Sequence, residues 1–320
     1  MRKFPKYDLD DPGSLWLDPN RHDRVNIPAG PPPEQKPAER VKNFNMVFLG
    51  YGEKQAVVEA TRCIHCPRPE PCIVACPLHN DIPAALLAIE EGRYDQAANI
   101  FRATSNFPEV CGRLCPQEDL CEGSCTVAGY DRPVNIGKLE AFCSNWQRDH
   151  SGFPKPAGMP PTGRRVAVIG SGPAGLAVAE ELTNRGHSVV VYEEWPKPGG
   201  LLHYGIPDFK FDNKIVEAKT AHLESIGVKF ICNTRVGQDV QLDDLRQKYD
   251  AVFLGIGTPI GHKIKLPGED LKGIYQATEF LVRGNLPPDD LPKGMKGLPE
   301  IGENMAVIGG GDTAIDCVRT

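Results

Sequence analysis

No stretch of this sequence stays apolar long enough to cross a bilayer, and residues 1–11 hold no apolar core of the kind a secretory signal needs. Both absences point to a cytoplasmic protein without membrane insertion. A surplus of basic charge is missing too: 36 Lys and Arg stand against 42 Asp and Glu, a formal net charge of -6 with no basic stripe. Nucleic-acid binders show the opposite balance, so DNA and RNA drop out as partners. What remains is a chain of 320 residues, 40% apolar, long enough for two cored domains and the beginning of a third.

Cysteine is the residue present in excess. Nine of the 11 cysteines fall between Cys63 and Cys143, and in a reducing compartment that crowding indicates metal ligation in preference to disulfides. Residues 1–40 are rich in proline (Pro28, Pro31, Pro32, Pro33, Pro37) and lack periodicity, which predicts an extended arm wrapped over a neighbouring surface. Residues 41–150 show helical spacing at Glu53–Arg62, Ile82–Glu91 and Tyr94–Thr104 between loops. So small a helical domain buries little apolar area, and bound metal is expected to supply much of its stability. A Pro/Gly-rich linker, residues 150–163, separates it from an α/β domain over 164–303.

Within the first domain the spacings are Cys63-x2-Cys66-x5-Cys72-x3-Cys76 and Cys111-x3-Cys115-x5-Cys121-x3-Cys125, with proline after Cys66, Cys76 and Cys115. Closely spaced thiolates followed by proline are the pattern of ferredoxin-type motifs, so two [4Fe-4S] clusters are expected. A pair of tetrahedral zinc sites is the alternative, although zinc ribbons seldom pack four cysteines so tightly twice over. His65 and His79 read as neighbours of the metal site and not as ligands. Cys232 and Cys317, alone in apolar stretches, read as small core residues.

The second domain opens on Arg165–Gly170 as a strand, Ala174–Arg185 as a helix and Ser188–Glu193 as a second strand. Between strand and helix lies Gly170-Ser-Gly172-Pro173-Ala174-Gly175, the G-x-G-x-x-G turn that brings backbone amides against a pyrophosphate at a helix N-terminus. Glu193 closes the second strand, where an acidic residue accepts from a ribose hydroxyl. Two further glycine-bearing segments, Gly199–Pro207 (with Gly200, Leu201, Gly205 and Ile206) and Tyr249–Thr258 (ending Gly257-Thr258), are placed to close over the bound dinucleotide. A second fingerprint, Met305–Ile308 followed by Gly309-Gly310-Gly311, begins a further unit over 304–320, and a complete βαβ unit takes about thirty residues or more.

Taken together, Cys111 to Cys125, Gly199 to Pro207 and Gly309 to Ala314 resemble the glutamate synthase small-subunit family of iron-sulfur flavoproteins. That family includes the large subunit of NADH-dependent ferredoxin:NADP oxidoreductase and the N-terminal half of dihydropyrimidine dehydrogenase. The resemblance implies an α+β multidomain fold, with a helical bis-[4Fe-4S] ferredoxin-like domain followed by a Rossmann-type FAD-binding domain. It also implies the ligand sets: Cys63, Cys66, Cys72 and Cys125 for one cluster, and Cys76, Cys115, Cys121 and Glu140 for the cluster nearer the flavin, with Cys111 and Cys143 as rivals for the Glu140 position.

The function so implied is that of an electron-transfer oxidoreductase subunit, passing electrons between NAD(P)H, FAD and two clusters to a partner subunit. A flavin-bifurcating transhydrogenase or ferredoxin oxidoreductase subunit is the alternative, favoured by the five-residue gap between Cys115 and Cys121. A non-catalytic electron-wiring subunit is the third reading. The family's nicotinamide domain and the returning segment of its FAD domain lie outside this sequence. Anaerobically prepared protein is expected to be brown, with broad visible absorbance and matching iron and sulfide; a colourless zinc protein would refute the cluster reading.

Overall fold

The computed structural model describes residues 20–155, 159–261, 265, 267–299 and 301–320. These fall into two compact units, one holding the residues up to Lys42 with Val47–Pro154, the other Asn43–Met46 with Lys155–Thr320.

The first unit is helical: α1 (Arg21–Arg24), α2 (Pro37–Arg40), α3 (Glu53–Thr61), α4 (Pro71–Ala75), α5 (Ile82–Glu90), α6 (Tyr94–Arg102), α7 (Pro108–Leu114) and α8 (Ile136–His150). Local chemistry starts these helices. The Gln55 side chain reaches back to accept from the Gly52 amide at 3.2 Å ahead of α3. Asp81 caps α5, accepting from the Ala84 amide at 3.3 Å, and Pro83 fits its first turn. In α6 the buried residues Tyr94, Ala97, Ala98 and Phe101 recur at helical spacing. They meet Leu86 and Ile89 of α5 and Leu139 and Phe142 of α8 in one core. Cys63, Cys72, Cys76, Cys121 and Cys125 pack against that core half-buried, so the apolar cluster is also the floor under the cysteine loops.

The arm expected over residues 1–40 lies partly outside the described residues. From Asn20 onward it carries the two single-turn helices α1 and α2 and a bridge between Glu34 and Phe48. Sequence periodicity cannot reveal one-turn helices, because four residues fix too little pattern.

Arg62, just past α3, is fully buried. Its Nη1 donates to Glu59 Oε1 at 2.6 Å and to the Pro133 carbonyl at 3.0 Å, Nη2 donates to the Arg132 carbonyl, and Nε donates to the Ile27 carbonyl at 3.3 Å. Glu59 Oε1 also accepts from the Asn135 amide at 2.9 Å. A cation so placed is tolerable because four of its five donors are hydrogen-bonded and Asp131 Oδ2 lies 3.7 Å from Nη2.

The second unit contains a parallel sheet of β1 (Arg165–Ile169), β2 (Ser188–Tyr192), β3 (Lys229–Ile231) and β4 (Ala251–Leu254) in the order β3-β2-β1-β4. Its helices are α9 (Pro173–Asn184), α10 (Leu201–Tyr204), α11 (Asn213–Ser225), α12 (Leu242–Lys248), α13 (Ala277–Asn285) and α14 (Asp312–Arg319). Val166 to Ile169 are buried throughout, which explains why β1 reads as an unbroken apolar run and not as an alternation. The order reverses between β1 and β4, and ligands of open α/β sheets bind where it does. Met305–Ile308, the would-be strand of the second fingerprint, pairs with no strand among the described residues and stays irregular, whereas the helix after its glycines forms as α14. No helix among the described residues is long and apolar enough to cross a membrane.

Replacing Arg62 by Met takes this donor from the Ile27, Arg132 and Pro133 carbonyls and leaves Glu59 its bonds from Asn135 without the cation. The expected loss is about 3–5 kcal/mol of stability in the first unit, read by denaturant unfolding. Unchanged stability would show that the network is dispensable.

Candidate functional site

Two groups of acidic donors form in the first unit. Cys63 follows the α3 terminus, Cys66 comes from the loop into α4, Cys72 lies in the first turn of α4, and Cys125 closes the loop after α7; all four line a single cavity. Its remaining wall is mostly apolar, with Ile82, Leu86, Val134 and Ile136 among the lining side chains. Burial pushes the Cys63 thiol up to about 12, with Cys125 and Cys66 adding to the shift. Cys72 is likewise pushed up to about 12, by burial first and then by Cys63, Cys125 and Cys66. Cys66 Sγ lies 3.3 Å from Thr126 Oγ1.

Cys76, Cys115, Cys121 and Glu140 form the second group. Burial is the main reason that Cys121 is raised to about 12, followed by the charges of Glu122, Glu140 and Cys76. Cys115 is lowered chiefly because the Cys111 thiol hydrogen-bonds to it, which holds Cys111 itself up. Glu140 sits on α8, buried, and its carboxyl is held well above the usual range by that burial, then by Cys111 and Glu109. Its Oε1 has no hydrogen-bond partner. The rivals for its position lie beside it: Cys143 Sγ is directed at the Glu140 main-chain carbonyl at 3.4 Å, and Cys111 bonds to Cys115 of the same group, with its Sγ 3.7 Å from Ser105 Oγ. Of the histidines, His79 Nδ1 is 3.2 Å from the Ile73 carbonyl and His65 Nε2 is 3.8 Å from Glu90 Oε2. Among the described residues no three His, Cys, Asp or Glu side chains close on one point as a single ion demands. A cluster is gripped at separate irons, so its ligands need not share a point.

In the second unit the turn after β1 is fixed by backbone proximity. Gly170 has φ +93°, and a Cβ there would stand 2.4 Å from the Gly255 carbonyl oxygen beyond β4. At Gly175 a Cβ would come 1.9 Å from the Gly170 carbonyl oxygen, so α9 packs on β1 only with glycine there. Nothing lies within 4 Å of a Cβ on Gly172, which leaves that side of the turn open to a ligand, while Pro173 and Ala174 begin α9. Gly200, at φ +54°, brings the second glycine segment to within 2.7 Å of the Gly172 Cα by the same measure. Leu201 starts α10; the Gly205 and Ile206 amides donate to its carbonyl at 2.9 and 3.2 Å.

Glu193 is buried beside this turn. Its Oε2 accepts from the Ser171 amide at 2.9 Å and from Ser171 Oγ, and its Oε1 accepts from the Trp195 amide at 2.9 Å. A carboxylate offers about four acceptor sites, and these bonds use three. Ser171 and Gly255 are the residues that sequence reasoning passed over. Ser171 Oγ donates to Glu193 and accepts from the Gly199 amide at 3.0 Å, and so joins all three segments of the site. The only signal was a hydroxyl at the free position of G-x-G. Gly257 and Thr258 lie two and three residues past Gly255 and are exposed, and Gly309 and Gly311 precede α14 with Gly311 as its N-cap. Of the lone cysteines, Cys317 is buried as expected, whereas Cys232, just past the edge strand β3, is only half-buried.

Residues 40–152 match the family described as dihydropyrimidine dehydrogenase domain II, 4Fe-4S cluster, and residues 164–320 match pyridine nucleotide-disulphide oxidoreductase. The small chain of glutamate synthase [NADPH] from Escherichia coli is 40% identical over 94% of this chain. Both domain matches and this relative agree with a resemblance to the glutamate synthase small chains, iron-sulfur flavoproteins to which the chain is similar. The Bacillus subtilis small chain is 36% identical over 92% of it, and the putative oxidoreductase AegA of E. coli 40% identical over 92%. The chain spans 64%, 62% and 45% of the lengths of these three relatives in the order given. Among solved structures, Mycobacterium tuberculosis FprA in complex with NADPH shares 30% identity over 38% of this chain and 29% of its own, at a TM-score of 0.36, too low to bear on the fold.

Removing the Ser171 hydroxyl takes a donor from the Glu193 carboxylate and one of two acceptors from the Gly199 amide, which keeps the Ser171 carbonyl at 3.2 Å, at a cost of about 1–3 kcal/mol. Ser171→Ala should therefore weaken FAD binding by roughly tenfold or more, measured by flavin fluorescence on titration. Wild-type affinity would show that the three segments hold their places without it.

Proposed function

We propose that this chain is an electron-transfer oxidoreductase module, carrying electrons between NAD(P)H, FAD and two [4Fe-4S] clusters toward an acceptor on a partner subunit. One observation carries the reading: four cysteines line one cavity, while the second group of three sets beside it a buried carboxylate oxygen with no protein partner. Cys63, Cys66, Cys72 and Cys125 would hold one cluster, and Cys76, Cys115, Cys121 and Glu140 the other. An orphaned buried carboxylate is costly unless something absent from the protein atoms completes it. A ligating oxygen in place of a fourth thiolate alters the potential of the second cluster.

Bound FAD supplies the conversion between two-electron and one-electron transfer. The residues of the chain bind and orient. Gly172 leaves the amides at the start of α9 open to the pyrophosphate, Glu193 keeps one acceptor for the adenosine ribose, and Gly200 lets the second segment approach the turn. Gly309 and Gly311 before α14 would meet the nicotinamide nucleotide. No side chain has to act as acid, base or nucleophile on a carbon substrate.

The relatives named glutamate synthase [NADPH] small chain support NADPH as the donor and a glutamate synthase large chain as the partner. Equal identity to a putative oxidoreductase supports a second reading, a transhydrogenase or ferredoxin oxidoreductase subunit with a different acceptor. Anaerobic purification from the native host, with identification of co-eluting chains and titration by NADPH and NADH, separates these. Loss of visible absorbance on adding NADPH is expected, and a flavin that neither nucleotide reduces would support a wiring role alone. In the same material Glu140→Ala should lose about half the iron, whereas Cys111→Ala and Cys143→Ala should retain it. Iron loss in either cysteine variant with Glu140→Ala intact would transfer the ligand role.

A further inference from the structure

The segment ahead of the cysteine loops is stitched to them by directed bonds. Asn20 caps α1, accepting from the His22 and Asp23 amides at 2.9 and 3.2 Å, and the turn so formed carries Arg21 and Arg24. Arg24 is buried. Its Nη1 donates to the Thr61 carbonyl at 3.0 Å, the Cys63 carbonyl at 3.1 Å and Glu90 Oε2 at 2.8 Å, and its Nη2 donates to Glu90 Oε1 at 2.9 Å. Arg21 Nη2 donates to the His65 carbonyl at 2.6 Å. Beyond α1, Ile27 accepts from Arg62 Nε, and the Ala29 amide donates to Asp131 Oδ2 at 3.0 Å. The carbonyls on both sides of Cys63 are thus aimed by guanidinium forks. Arg62 also grips the Pro133 carbonyl, next to the cavity wall at Val134.

We propose that residues 20–29 are a clasp on the first cluster site, with Arg24 the positioning residue that fixes the Cys63–Cys66 loop and sets the charge beside it. The inference rests on the cluster reading above. Arg24 and Glu90 form a neutral, largely buried pair. Removing the cation leaves a negative charge near the thiolates, and removing the carboxylate leaves a positive one. Opposite charges move a reduction potential in opposite directions, whereas simple loosening of the fold does not.

The test uses the whole chain, prepared anaerobically with its clusters, as wild type, Arg24→Gln, Arg24→Lys, Glu90→Gln and the exposed Arg21→Ala. Iron transfer to a chelator and the resonance signal of each reduced cluster are followed at one fixed pH. Arg24→Gln and Arg24→Lys should release iron from one cluster about tenfold faster or more, since supporting bonds of this kind are worth about 10- to 100-fold in metal affinity. Arg21→Ala should show a smaller acceleration without loss of folding, and the second cluster should keep its signal. Arg24→Gln should lower the potential of the affected cluster and Glu90→Gln should raise it. Wild-type release rates in the Arg24 and Arg21 variants, loss of both clusters together, or shifts of the same sign would overturn the clasp while leaving the cluster reading intact. Wild-type protein without iron would overturn both.

Discussion

Acidic donors gathered in a poorly polarisable interior repel each other once ionised, and the first unit is organised around that repulsion. Cys63 and Cys72 share a cavity with Cys66 and Cys125, and each resists ionising because it is buried and because its neighbours would be charged too. The Glu140 carboxyl is pushed up by burial and by its acidic neighbours in the same way. A polycationic core inverts this arithmetic and drives the protons off. Cluster loading and the final stability of the unit are therefore one equilibrium. The apolar floor of α5, α6 and α8 keeps water from screening the repulsion away.

The second unit obeys a constraint of space in place of charge. Its turn after β1 works because two backbone segments approach more closely than any side chain permits, at Gly170 against Gly255 and at Gly175 against Gly170. Closeness alone does not fix orientation. That falls to Ser171 and Glu193, whose bonds hold the turn, the end of β2 and the Gly199 segment in one frame. The protein thus prepares a surface of amides before any ligand arrives, and binding costs little rearrangement.

Much of this was legible in the sequence because the deciding residues sit close together along it. Strand β1, helix α9 and strand β2 were placed to within a residue at most ends, since an apolar run, a glycine turn and a helical stripe are each local signals. The two cysteine runs announced themselves by spacing. What stayed hidden depends on contacts between distant positions. Arg24 looked like one charge in a proline-rich arm, yet it bonds to Thr61, Cys63 and Glu90. Glu140 has no local mark at all, because a helix carboxylate is solvated until α7 and its neighbours cover it. Met305–Ile308 shows the converse: a strand-like run forms no strand where no partner strand pairs with it.

The partners of Arg62 set an order of events. Its side chain bonds to Ile27, to Glu59 and to Arg132 and Pro133, so this knot cannot tighten until most of the first unit has left the ribosome. Cys63, the next residue, belongs to a loop that stays unfinished until then. Whatever fills that loop finds a finished receptacle only after the segment ahead of α8 has joined the knot.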